Sequence, residues 1–159
     1  MTVITHARRK SNLAKMIDSA GGISVGVALE RARANIEAKR AEALAVVDGQ
    51  ISALEHVAAP TSLQDTAARL DEAYRAANAV IDAAAPFDLI DLCRAAMGLC
   101  DLIDAARPGQ AFDWRIVTVH ARSMRLLQSL PVEADEARAQ VLDSLRLVAD
   151  RKLAAPSQP

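Results

Sequence analysis

The chain has 159 residues, of which 34 are alanine, against two Phe, one Tyr and one Trp. Alanine is the strongest helix former and aromatic side chains fill β-sandwiches and barrels, so the composition argues against an all-β fold. Nineteen basic and twenty acidic residues give a net charge of −1. That balance lacks the basic excess of a nucleic-acid binder, and no apolar run reaches the roughly 18 residues of a membrane span.

Residues 1–22 read as a basic arm, with Arg8, Arg9, Lys10 and Lys15, ending at Gly21-Gly22. The arm reads either as flexible throughout or as a short docking helix from Ser11 to Ile17. It has no apolar core of the kind a secretory signal needs. From Ser24 to Val57 the sequence predicts one long helix. Its stripe is Leu29, Ile36, Ala43, Val47, Ile51, Leu54 and Ala58, spaced by threes, fours and sevens. Such a helix spans about 50 Å at roughly 1.5 Å per residue, and its excess could pack on a partner or on a second copy.

Pro60 is the expected stop, and Thr61 to Gln64 fits a capping box for a second helix running to Ala84. The expected inward stripe there is Leu63, Ala67, Leu70, Tyr74, Ala77, Ile81 and Ala84. A third helix, opened around Pro86 and Asp88, buries Leu89, Leu92, Ala96, Leu99 and Ile103 and stops at Arg107-Pro108-Gly109. Asp113 is the expected N-cap of a fourth helix, Trp114 to Leu130. Pro131 opens a fifth, Val132 to Leu153, with Val141, Leu145 and Val148 inward. The tail, residues 154–159, is expected to fray. The predicted fold is all-α: an antiparallel four-helix-type bundle with a long N-terminal helix and an additional C-terminal one. It forms a single domain over residues 23–153.

Conventional catalytic patterns are absent from the sequence. It has no GxGxxG or Walker loop, and no HxxxH or ExxH pair that would ligate a metal. The histidines are His6 in the arm, His56 at a helix end and His120 mid-helix, the last read as a packing residue at the edge of the core or else as a titratable switch or ligand. Cys93 and Cys100 lie about 10 Å apart on one helix and cannot pair with each other. They read as small buried hydrophobes. Reduced thiols without a signal sequence point to the cytoplasm. Asp82, Asp88, Asp91, Asp101 and Asp104 read as a charged face rather than as catalytic carboxylates.

One constellation differs from its surroundings. On the second helix Asp71, Arg75, Asn78 and Asp82 share a narrow polar strip, with Asp71 and Arg75 in the supportive i, i+4 order. Asn78 is a mediocre helix former set among alanines. Small neighbours let either another helix of the bundle or a partner surface approach closely.

The segment from Ala77 to Leu89 resembles the signature of histidine phosphotransfer (HPt) domains. Phe87 takes the apolar position, Ala83 to Ala85 the small run, and Leu92, Ala95 and Leu99 the spacing of the following helix. The match is firm over about 25 residues and loose over residues 60–130. Asn78 stands where the family carries its phosphorylated histidine, Ile81 where it carries lysine, and Asp82 and Asp88 where it carries glycines. The resemblance therefore implies a pseudo-phosphotransfer module, with the docking surface kept and no cofactor or transfer chemistry. The wider layout is similar to the CheE-like accessory proteins of alphaproteobacterial chemotaxis clusters. The implied partner is a response-regulator receiver domain or a chemotaxis kinase, met by Asp71, Arg75, Asn78, Ile81, Asp82 and Phe87. Two other expectations stay open. One is an alanine-rich, phasin-like scaffold that self-associates through the first helix. The other is a phosphorelay through one of the three histidines.

Overall fold

The computed structural model describes residues 22–106 and 111–153. The basic arm up to Gly21, the stop at Arg107-Pro108-Gly109 and the tail lie outside these residues. Among the described residues the regular structure is helical, with no strand. The helices are α1 (Val25–Glu37), α2 (Arg40–His56), α3 (Leu63–Ala84), α4 (Ile90–Asp104), α5 (Arg115–Ser129) and α6 (Asp135–Leu153). The chain divides into two compact units, Met1–Asn35 and Ile36–Pro159, and the division falls inside α1.

The long first helix expected from Ser24 to Val57 is two helices. At Ala38-Lys39 the ladder tightens: Lys39 N–H donates to the Ile36 carbonyl at 2.8 Å, a three-residue closure, before α2 resumes. Ion pairs flank the break, Arg40 Nε to Glu37 at 2.6 Å and Lys39 Nζ to Glu42 at 2.8 Å. Only the second half of the stripe is buried. Val47, Ile51 and Leu54 are inside, whereas α1 has no buried residue and exposes Leu29 and Ile36.

Ser62, not Thr61, caps α3. Its hydroxyl accepts from Asp65 N–H at 3.2 Å, so the cap sits one residue later than expected. The buried meridian of α3 is also rotated from the expected one. Ala73, Ala76, Ala77, Val80 and Ala84 are buried, Leu70, Tyr74 and Ile81 are half-buried, and Ala67 is exposed. Methyl groups let the helix backbone approach its neighbours, while the larger side chains settle at the edges of the contact.

The turn Ala85–Phe87 is a 3₁₀ segment with Pro86 in its first turn. Asp88 follows with φ 56°, the left-handed region otherwise favoured by glycine. Leu89 is the residue before α4, which buries a wide face: Leu92, Cys93, Ala95, Ala96, Leu99, Cys100, Leu102 and Ile103. The N-cap of α5 is Trp114, one residue later than the expected Asp113, and it makes no side-chain cap bond; Asp113 Oδ1 accepts from Arg115 N–H at 3.2 Å just ahead of it. α6 starts at Asp135 rather than Val132, which lies in a turn with Glu133. Asp135 and Glu136 in its first turn, and Arg151 and Lys152 in its last, match the helix dipole. Leu145 is buried, with Val141 and Val148 half-buried.

Within residues 36–159, α2 packs on α3 and α5, α3 on α2 and α4, and α4 on α3, α5 and α6; α6 also touches α5. Three polar clasps fix these contacts. Arg125 of α5 reaches one side of α2, bonding Asp48, Ser52 at 2.7 Å and Glu55 at 3.0 Å. Lys152 at the end of α6 bonds Asp113 at 2.8 Å, before α5. Arg138 of α6 bonds Asp91 of α4 at 2.6 Å.

Candidate functional site

The polar strip of α3 lies on the side of the helix away from Ala73, Ala77, Val80 and Ala84. Asp71, Arg75, Asn78 and Asp82 are all exposed, and Ile81 beside them is half-buried. Arg75 Nη2 bonds Asp71 at 2.9 Å, and both side chains are largely solvated. No hydrogen bond of the Asn78 side chain occurs among the described residues. The strip therefore presents an ion pair, a free amide and a carboxylate along about three turns of helix.

Phe87 does not join this strip. It is 8% exposed, and the Arg40 guanidinium lies 5.0 Å from its ring centroid, in cation–π contact. Its ring packs beneath the start of α2, so of the six residues expected to meet a partner four are exposed on one face, Ile81 is half-buried against the core and Phe87 is covered.

The histidines have different environments. His56 is exposed, its Nδ1 2.6 Å from the Ser52 carbonyl. His6 lies outside the described residues. His120 is 1% exposed, fully inside rather than at the edge of the core. Burial pushes its pKa down, partly opposed by a bond to the Ile116 carbonyl. Cys93 and Cys100 are both buried free thiols. Burial, followed by the charges of Asp104 and Asp101, pushes the Cys100 thiol up to about 11. Among the described residues no group of three His, Cys, Asp or Glu side chains is placed to hold a metal ion.

A second concavity has no motif in the sequence. A cleft of about 520 Å³ runs between α4 and α6, with His120 of α5 at its base. Met97, Gly98, Leu142, Leu145 and Ala149 form its walls. Arg94, Asp101, Asp143, Arg146 and Asp150 form an exposed rim of both signs. The sequence signals for it are a glycine inside a helix and a histidine flanked by apolar residues. Neither shows that the two would meet across two helices.

Comparison of the chain with protein-family models, with curated proteins and with solved structures finds no match in any of the three.

Proposed function

We propose that the chain is a non-catalytic, HPt-like docking module that binds a response-regulator receiver domain through the outer strip of α3. Its framework is read as an antiparallel four-helix bundle, α2 to α5, with α6 laid against α4 and α5. The observation that carries the reading is the exposure of Asp71, Arg75, Asn78 and Asp82 on a helix narrowed by alanine. Asn78, at the position of the family's histidine, faces solvent. Asp88, at one of the family's glycine positions, has the left-handed backbone that a glycine there would serve. An asparagine amide has no nucleophilic imidazole nitrogen, and Ile81 and Asp82 supply no cation for a phosphate. Binding without transfer is the chemistry this strip supports.

The test is titration of the chain against receiver domains from the source genome, followed by circular dichroism of each variant. One receiver should bind, and Asn78→Arg should weaken it at least about tenfold with helicity unchanged. Binding by none, or equal binding by the variant, overturns the reading.

The exposed apolar residues Val25, Leu29 and Ile36 of α1 favour a second reading, self-association through that helix. Light scattering of the wild type and of Leu29→Glu separates the two. A dimer abolished by the substitution supports the second, and a monomer that binds a receiver supports the first.

A further inference from the structure

The cleft between α4 and α6 has at its base a polar side chain that the docking strip does not use, His120. His120 Nδ1 lies 2.9 Å from the Ile116 carbonyl one turn earlier. A carbonyl only accepts, so Nδ1 holds the hydrogen and the neutral ring leaves Nε2 as a bare acceptor. No protein donor reaches Nε2 among the described residues. Opposite it is Gly98, where an added Cβ would sit 3.7 Å from Nε2. A methyl group at Gly98 would therefore lie in ordinary contact with the nitrogen, on the side of the cleft. An apolar cleft with one convergent polar atom open to it has the anatomy of a small-molecule pocket.

We propose that this cleft binds a small, largely apolar, uncharged molecule carrying one hydrogen-bond donor, and that His120 Nε2 accepts that bond. The volume of about 520 Å³ suits a compact ring system. Leu142, Leu145, Met97 and Ala149 supply the apolar contact. The rim has three carboxylates, Asp101, Asp143 and Asp150, and two guanidiniums, Arg94 and Arg146. Arg146 and Asp150 face each other at 3.8 Å. The rim is mixed in sign and solvated, with one carboxylate in excess, so it disfavours an anion, and the apolar walls below it disfavour a desolvated ion of either sign, which points to a neutral ligand.

Indole and indene serve as probes because they share a shape and differ in the ring N–H. The full chain is titrated with each at neutral pH, and long-range ¹H–¹⁵N spectra follow the His120 ring nitrogens. Indole should bind saturably and move the Nε2 resonance, and indene should bind at least about tenfold more weakly, the ratio expected for one hydrogen bond to a buried acceptor. Replacing His120 risks the core, so the second arm is Gly98→Ala, whose methyl group makes ordinary contact with Nε2 and fills the donor's place. That variant should retain its helicity and bind indole no better than wild type binds indene. Equal binding of the two probes, no saturable binding of indole, or indole affinity unchanged in Gly98→Ala would each overturn the proposal.

Discussion

Arg138 Nε donates to Asp91 Oδ2 at 2.6 Å, and the same guanidinium donates through Nη1 to the carbonyls of Leu127, at 3.0 Å, and Leu130, at 3.2 Å. One side chain thus joins α6 to the first turn of α4 and satisfies the end of α5, where carbonyls have no helical partner. With 11% and 26% of the two side chains exposed, this is the most enclosed ion pair among the described residues. Arg138→Met keeps the apolar stem and removes the charge, leaving Asp91 and two carbonyls short of a donor. The expected loss is about 2–3 kcal/mol in urea unfolding, whereas Arg75→Met on the exposed strip should cost less than about 0.5 kcal/mol. Equal losses would show that enclosure does not set the value of these pairs.

Asp88 is the only non-glycine residue with positive φ among those described. Aspartate tolerates the left-handed region better than most residues, yet glycine adopts it without a Cβ penalty. Asp88→Gly should raise stability by about 0.5–1 kcal/mol, and Asp88→Val should lower it by at least about 1 kcal/mol. Thermal unfolding of the two variants checks the order.

Burial holds the His120 pKa below its ordinary 6.5. The unfolded chain therefore takes up a proton that the folded chain resists, and stability falls with acidity. The His120 contribution should be intact above pH 6.5, then decline progressively as pH drops below 6.5 toward the lowered folded value. His120→Gln should flatten the urea midpoint between pH 7 and pH 5 relative to wild type. An unchanged slope would show that the imidazole is not the group responsible.

The break at Ala38-Lys39 separates a helix with no buried residue from one with a buried stripe. Trypsin under native conditions should cut first at or before Lys39, after Arg31, Arg33 or Lys39. The surviving fragment should keep α2 to α6, and mass spectrometry identifies its first residue. Initial cleavage inside α4, after Arg94, would contradict this ranking of local stability.

The apolar spacing in the sequence predicted helix across the described helical segments, with α1 and α2 taken as one, and ranked Leu92, Ala96, Leu99 and Ile103 of α4 as inward. It also identified both cysteines as interior residues. It missed the break at Ala38-Lys39 because neither residue is a proline or glycine and the stripe continues across it. What differs on its two sides is burial, which begins only at Val47 and depends on the other helices. The face of α3 was misread by part of a turn because periodicity ranks Leu70 and Tyr74 above alanine, while close packing put the alanines inside. The strip around Asn78 was legible because it needs one helix only. The cleft was not, since it joins Gly98, His120 and Leu145 from three helices.

The alanine side of α3 also sets which mutations the protein can absorb. Ala73, Ala77 and Ala84 have no exposed surface, so the separation of α3 from its neighbours is the thickness of methyl groups. Enlarging any of them wedges backbones apart instead of rotating a side chain aside. In a saturation library the usual hierarchy should invert: the smallest residues of this helix are the irreplaceable ones. Its outer strip, being exposed, can meanwhile exchange charge and shape without disturbing the interior.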